Sequence, residues 1–255
     1  MKTLNLFTAA ALMAAFSPSL FAADAVNDPN YFKAAKTSVT VTEKVTDLTS
    51  EDVFPPMLAA GRVSRNPAAI VNGGVQAWNV INGGKPSSDI SGAYASAIPG
   101  FSFNWSNYSG WKKKSVDYNY TVTNLMGIDV IKVDYTISFF YNGQDLSDDD
   151  KPVKGHYITN FTVRPTETSV KWGWKFNMDV KMSDPMNIGS SKDPVAFMQA
   201  DLNYVTSTPF TSDGGVWSYT VDGLGRFSDQ NSKSRELTKE IGAVTAPETP
   251  AVSWN

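Results

Sequence analysis

The sequence predicts a mainly β fold: an antiparallel β-sandwich or barrel-like domain with one or two short helices. Aromatic residues are abundant, with 7 Trp, 10 Tyr and 14 Phe, while the charged fraction of 18% lies below the usual quarter. From residue 101 onward, several segments alternate apolar with polar side chains. The strand–helix alternation that builds parallel sheets is missing, so antiparallel pairing is expected.

The first residues are typical of a cleavable secretory signal peptide. Lys2 precedes an apolar run from Leu4 to Phe16, and Pro18 is followed by small residues near positions 22–25. The run is shorter than the roughly 20 residues that span a bilayer. A buried amphipathic helix is disfavoured because the segment has no polar face. We therefore expect residues 1–22 to be removed and the protein to be periplasmic or extracellular.

Composition limits the partners of the mature chain. About 230 residues would remain, enough for one large or two small domains. The chain has no cysteine, so its stability must come from packing and hydrogen bonds. The formal charge of −3 for all 255 residues, which becomes −4 without Lys2, gives no electrostatic basis for binding nucleic acid. No second apolar stretch is long enough to span a membrane as a helix, and a membrane partner is therefore not expected.

The mature chain divides into three parts. Residues 24–100 carry an edge strand over Thr37–Val45 and mixed structure, 101–227 form the antiparallel β domain, and 228–255 form a polar tail with a short helix at 235–241. For residues 66–81, Asn66 and Pro67 suit a helix start, and helix or irregular structure is favoured. The rival interpretation is a hairpin that turns at Gly73-Gly74, followed by a strand over Val75–Ile81.

Alternating segments predict the strands of the β domain. They run from Val116 to Val122, from Ile131 to Tyr141 and from Tyr157 to Val163, where Arg164-Pro165 closes the third. The clearest segment is Lys171–Met182, with one apolar face that is expected to be buried. That face comprises Trp172, Trp174, Phe176, Met178, Val180 and Met182. Residues 194–205 suit either a helix or a strand, and a strand is favoured.

The sequence lacks the residues that most catalytic mechanisms need. His156 is the one histidine, no Gly-x-Ser-x-Gly motif accompanies it, and cysteine is absent. One histidine without cysteine leaves too few favoured ligands for zinc. Carboxylates remain: Asp117, Asp129, Asp134 and Asp179 lie on the polar faces of strands and would line a groove if those faces were concave. Solvated alternation is the simpler interpretation of these carboxylates, so a non-catalytic role is favoured and the enzymatic one stays open.

The loop after the second strand is the best candidate for a metal site. Asp145, Asp148 and Asp150 are clustered there, and calcium takes carboxylate oxygens as ligands. The segment lacks the glycine and the closing glutamate of an EF-hand loop, and a solvated charge run is the favoured interpretation. No other cofactor is expected.

Residues 101–111 resemble a recognition loop in composition. Aromatic rings give contact area there, while Ser and Asn give adaptable hydrogen bonds. We expect Trp105, Tyr108 and Trp111 to stack on a ligand that Asn104 and Asn107 orient. The leading hypothesis is an exported, non-catalytic protein that binds a glycan or another surface component through aromatic loops.

Two alternatives from other classes remain open. Residues 131–141 and 171–182 have about the 9–11-residue length of a membrane-spanning strand, which suits a membrane-active or outer-membrane β protein. The other alternative is a carboxylate-dependent polysaccharide hydrolase or lyase, which needs two carboxylates in one cleft.

Overall fold

The computed structural model describes residues 26–46, 69–88, 90–100, 108–145 and 155–231. Within these ranges the chain forms strands and two short 3-10 turns, Pro29–Phe32 and Ile90–Gly92. The strands are β1 (Ala34–Thr46), β2 (Ile70–Asn72), β3 (Ala77–Asn82), β4 (Lys85–Pro86), β5 (Ala95–Pro99), β6 (Tyr108–Ser109), β7 (Lys112–Asn124), β8 (Asp129–Asp145), β9 (Tyr157–Val170), β10 (Lys175–Met182), β11 (Met186–Asn187), β12 (Ala196–Ser207), β13 (Ser212–Asp222) and β14 (Phe227–Asp229).

The strands form two separate sheets. The first sheet has the order β1-β7-β8-β9-β5-β2, with β6 paired to β8. The second has the order β14-β13-β12-β10-β3-β4, with β11 paired to β12. Each of these pairings is antiparallel. The predicted antiparallel β-sandwich is therefore confirmed.

The inner faces of the two sheets form one aromatic core. Val116, Tyr118, Tyr120 and Val122 of β7 are buried, as the alternation predicts, and so are the inward residues of β8. Across the interface, the Tyr135 and Tyr219 hydroxyls lie 3.0 Å apart and form a hydrogen bond. Neighbouring residues on β7 and β8 therefore point outward, where they are available to a ligand.

The helix or irregular structure favoured for residues 66–81 is wrong for 69–81. This stretch contains β2, which pairs with β5 of the first sheet, and β3, which pairs with β10 of the second. The rival hairpin is also wrong, because β2 and β3 lie in different sheets. Gly74 connects the two sheets in close contact with other backbone: a Cβ there would lie 2.3 Å from the Tyr94 carbonyl oxygen. The strand expected over 75–81 is close to β3.

The strand predicted over Lys171–Met182 begins later than expected. Extended structure starts at Lys175, and Trp172 lies in the turn before it, with 70% of its surface exposed. Gly173 has φ = 78°, a backbone conformation that interrupts a strand and is easy for glycine alone. The other five residues of the predicted face, Trp174 to Met182, are buried as expected.

Two further expectations differ in outcome. The strand predicted to close at Arg164-Pro165 continues to Val170, whereas the strand favoured over the helix for 194–205 is confirmed as β12. The expected signal peptide and the C-terminal helix at 235–241 lie outside the described residues. In the part of the chain that the structure describes, no helix has the length and apolarity to cross a membrane.

The sandwich has two ends, which we name after a residue at each. At the Trp172 end, β7 turns into β8, β9 into β10 and β12 into β13. At the Tyr157 end lie the start of β7, the end of β8 and the start of β9, together with the turn that follows β13.

Candidate functional site

A polar groove crosses the outer face of the first sheet. It has a volume of about 420 Å³, within the range of small-molecule binding sites. Tyr118 and Tyr135 form its floor, because their side chains are buried on the inner face. The groove is lined by Thr40 and Thr42 of β1, Asp117 and Asn119 of β7, Asp134 and Thr136 of β8, and Thr166 of β9.

The register of the strands arranges these side chains in two rows. In one row, Thr42 lies opposite Asp117, which lies opposite Thr136. In the other, Thr40 lies opposite Asn119, which lies opposite Asp134. Because the two carboxylates are diagonal neighbours on adjacent strands, their Cβ atoms are separated by about 7–8 Å or slightly less. One ligand of a few ångströms' width can therefore contact both.

Hydrogen bonds within the rows hold both carboxylates in place. The Thr136 hydroxyl donates to Asp117 Oδ1 at 2.5 Å, and the Asn119 amide donates to Asp134 Oδ1. The Thr121 hydroxyl donates to the side-chain Oδ1 of Asn119 at 3.2 Å and so fixes the orientation of that amide. In both carboxylates it is Oδ1 that accepts these bonds. A ligand hydroxyl that meets Oδ2 would therefore find an acceptor whose position is already set.

A β-bulge shapes the β9 side of the groove. Asp134 pairs with Glu167, but the next residue, Tyr135, pairs with Pro165, so Thr166 is an extra residue in β9. Such an insertion bends the strand and increases its twist. The bend brings Thr166 into the lining of the groove, beside the row that contains Asp134.

The electrostatics of the groove are mildly acidic. Asp117 and Asp134 lie within it, Glu167 pairs with Asp134, and Arg164 lies opposite Thr136 at its edge. An anionic ligand is therefore disfavoured at the centre. Among the described residues, the outward side chains that line the groove are Asp, Asn and Thr, so polar groups surround the floor formed by Tyr118 and Tyr135. The lining suits a neutral ligand rich in groups that both donate and accept hydrogen bonds.

Of the four strand carboxylates predicted from the sequence, two meet in this groove and two do not. Asp129 forms an ion pair with Lys132 at 3.0 Å, and this bond together with the Thr123 hydroxyl lowers the pKa of Asp129. Asp179 lies on the second sheet and accepts a hydrogen bond from Asn203. The sequence predicted a groove only if the outer faces of these strands were concave. That condition holds for Asp117 and Asp134, which line the same groove.

Sequence reasoning missed the residues that complete the site, above all Asn119 and Thr136. Asn124 and Gly127 are typical turn residues and join β7 to β8. The turn alone does not give the register, because Thr123 pairs with Asp129 whereas Val122 pairs with Ile131, so a bulge shifts the pairing by one residue. Only beyond this bulge does Asn119 lie opposite Asp134 and Thr136 opposite Asp117.

The aromatic segment proposed from the sequence is described only in its last residues. Asn104, Trp105 and Asn107 lie outside the described residues. The Tyr108 ring packs edge-on against Tyr157 with 5.7 Å between centroids, and burial raises the pKa of Tyr108, with smaller contributions from the neighbouring Tyr157 hydroxyl and the Asp145 carboxylate. The Trp111 ring covers Gly143 so closely that a Cβ there would lie 2.1 Å from it. Both rings thus contribute to packing at the Tyr157 end, and stacking on a ligand stays a prediction.

The calcium candidate and the histidine also lie at the Tyr157 end. Asp145 ends β8 opposite Tyr108, while Asp148 and Asp150 lie outside the described residues. Over residues 26–46, 69–88, 90–100, 108–145 and 155–231, no three acidic or histidine side chains are placed to hold a metal, and calcium at the loop stays a prediction. His156 Nδ1 lies 2.9 Å from Asn142 Oδ1, and its Nε2 lies 3.7 Å from Asp193. These neighbours orient the ring as part of a surface hydrogen-bond network.

Comparison with known proteins adds no relative to this picture. No family model, no curated protein and no solved structure matches the chain. The chemistry of the polar groove therefore carries the functional interpretation.

Proposed function

We propose that this is an exported, non-catalytic β-sandwich protein that binds a glycan, or another hydroxyl-rich surface component, in the polar groove. The observation that carries the proposal is the lining: two oriented carboxylates, one amide and several hydroxyls on adjacent strands. Sugar hydroxyls both donate and accept hydrogen bonds, and this lining offers partners for both. Export rests on the N-terminal sequence pattern, and the place of action is periplasmic or extracellular.

Binding fits the position of the carboxylates better than catalysis does. A glycosidase needs one carboxyl group that keeps its proton, which proteins achieve with an apolar pocket. Asp117 is exposed, and a hydroxyl donates to it. Hydrogen bonds to a charged acceptor contribute about 1.5–3 kcal/mol each, so two such groups can support a specific complex.

Loss of either groove carboxylate is expected to weaken glycan binding. A screen of immobilised polysaccharides identifies the ligand, and calorimetry then compares wild type with Asp117→Ala and Asp134→Ala. Each variant should bind about 10–100-fold more weakly, the equivalent of one charge-assisted hydrogen bond. Asp179→Ala is the matched control, because this outward carboxylate lies on the other sheet and also accepts an amide hydrogen bond. Unchanged affinity in both groove variants would exclude the groove as the binding site.

The aromatic segment makes a separate prediction. If it contributes by stacking, Trp105→Ala should weaken binding about 5–100-fold, the range given by stacking on a single aromatic ring. Trp111→Ala is the less direct test, since the Trp111 ring also packs on Gly143. Titration of the same glycan checks this, and a Trp105→Ala protein with wild-type affinity would confine binding to the groove.

Hydrolysis is a second candidate, because the strand register makes two carboxylates, Asp117 and Asp134, diagonal neighbours in one groove. A glycosidase needs two such carboxyl groups beside the bond that it cleaves. A reducing-sugar assay on the glycan that binds separates the candidates. Release of sugar by wild type, lost in Asp117→Asn and Asp134→Asn, would replace the binding proposal with an enzymatic one.

A further inference from the structure

Large apolar side chains are exposed at the Trp172 end of the sandwich. Trp172 is 70% exposed in the β9–β10 turn, and Phe210 is 74% exposed in the β12–β13 turn. Leu125 and Met126 are exposed in the β7–β8 turn, where the Leu125 N–H donates to the Lys33 carbonyl. Three turns thus expose large apolar side chains at the same end of the sandwich. Single exposed apolar residues are common on protein surfaces, but a group of them at one end indicates an interaction site.

Buried residues support the exposed side chains of Trp172 and Phe210. Phe32, which is itself buried, lies beneath both, with ring centroids 6.4 Å from Trp172 and 5.2 Å from Phe210. The Tyr31 hydroxyl donates to the Trp172 carbonyl at 3.1 Å. A Cβ at Gly173 would lie 2.6 Å from the Phe32 ring, so the turn can pack on Phe32 only with glycine there. The exposed rings are therefore carried on a buried support and are not loose.

Exposed lysines lie near the Trp172 and Phe210 turns. Lys33 follows Phe32, Lys171 precedes Trp172, and Lys175 pairs with Ser207 next to the Phe210 turn. Lys85 lies on the hairpin in which Gly84 packs against Val170. No ion pair links any of these four lysines to a carboxylate of the described residues. Three carboxylates also lie at this end: Asp28 caps the turn at Pro29, Asp129 pairs with Lys132, and Asp213 is exposed. The four lysines therefore outnumber the two carboxylates, Asp28 and Asp213, that have no lysine partner among the described residues.

We propose that the Trp172 end docks on the surface of a bilayer that contains anionic phospholipids. Trp172 and Phe210 would enter the interfacial layer, where aromatic rings are favoured, and the four lysines would lie at the level of the headgroup phosphates. Apolar burial and electrostatic attraction together set the strength of such binding. The sequence-based expectation of no membrane partner concerned spanning segments, and surface docking needs none.

This site is separate from the polar groove. The groove opens on the outer face of the first sheet and is acidic, whereas the Trp172 end is basic and aromatic. Asp117→Ala should therefore bind vesicles like wild type, and Trp172→Ala should bind the glycan like wild type. Failure of one proposal leaves the other standing.

Vesicle sedimentation of the exported protein, without the expected signal peptide of residues 1–22, tests the proposal. Wild type should bind vesicles of phosphatidylcholine and phosphatidylglycerol at least tenfold more tightly than vesicles of phosphatidylcholine alone, and added salt should reduce the difference. Trp172→Ala and Phe210→Ala should each bind the anionic vesicles at least fivefold more weakly. Lys171→Gln and Lys175→Gln should lower the preference for anionic lipid.

Matched controls come from the opposite end of the sandwich. Leu224→Ala removes an exposed apolar turn residue at the Tyr157 end, and Lys192→Gln removes an exposed lysine there. Both should bind like wild type. Wild type and all variants are compared without residues 1–22, so the apolar N-terminal run does not contribute to vesicle binding. Wild-type binding by the aromatic and lysine variants would overturn the proposal, and so would absence of vesicle binding by wild type. Concentration-dependent dimers that Trp172→Ala abolishes would identify a second copy of the chain as the occupant instead.

Discussion

Truncation of Phe176 to alanine is expected to lower the free energy of unfolding by about 3–5 kcal/mol. Phe176 extends from β10 of the second sheet, is fully buried and meets Tyr120 of the first sheet with 5.5 Å between ring centroids. Tyr204 stacks beside it at 6.4 Å. Removal of the ring therefore leaves a cavity between the two sheets that aromatic neighbours on both sides cannot readily fill. Urea denaturation at neutral pH measures the loss.

The matched control is Phe210→Ala, which removes the same side chain from an exposed turn. It should change the free energy of unfolding by about 0.5 kcal/mol or less, because most of its ring already contacts water. Equal losses for the two variants would contradict the packing described between the sheets. A stable Phe210→Ala protein also ensures that any loss of vesicle binding in this variant reflects the missing ring.

Stability is expected to fall steeply above pH 10. Burial is the main cause that raises the pKa of Tyr120 to about 12 and that of Tyr157 to about 12, from an ordinary value of 10.0. The unfolded chain then loses these protons at lower pH than the folded chain does. The stabilisation is therefore complete below pH 10 and declines as pH rises from 10 to 12, by about 1.4 kcal/mol per pH unit for each tyrosine. At pH 12, the two tyrosines together are expected to have lowered the free energy of unfolding by roughly 5 kcal/mol relative to its value below pH 10.

Urea denaturation at several pH values between 8 and 12 checks this decline. The variant Tyr120→Phe with Tyr157→Phe lacks both ionisable groups and should lose stability less steeply over the same range. Its own stability at pH 8 serves as its reference, since removal of the hydroxyl groups of two buried tyrosines changes the free energy of unfolding by itself. An identical pH dependence in wild type and double variant would show that other groups control alkaline unfolding.

The sequence predicted strands well where one face is buried and the other is wet. In β7, β8 and β10, period-two alternation is produced by the same burial that the structure shows, so pattern and fold share one cause. The pattern could not locate the start of β10, because Trp172 fits the apolar alternation although it lies in a turn. What decides the boundary is Gly173, whose positive φ and contact with Phe32 depend on tertiary packing.

Segments that cross between sheets were beyond local reasoning. Residues 69–82 carry strands of both sheets, and their partners, β5 and β10, are distant in sequence. The candidate site shows the same division. The outward positions of Asp117 and Asp134 followed from alternation, but the groove also depends on β1 beside β7 and on the bulge at Thr166. Neither the position of β1 nor the bulge can be predicted from the alternation of residues within a single strand.

Mapping of a bound oligosaccharide by NMR tests the central claim most directly. Titration of the selected glycan into isotopically labelled protein should shift the backbone amide signals of the groove lining, from Thr40 and Thr42 across Asp117 and Asn119 to Asp134, Thr136 and Thr166. The same titration of Asp134→Ala should shift them only at higher glycan concentration. Shifts confined to Tyr108 and Trp111, or to the Trp172 end, with an unperturbed groove would contradict the account.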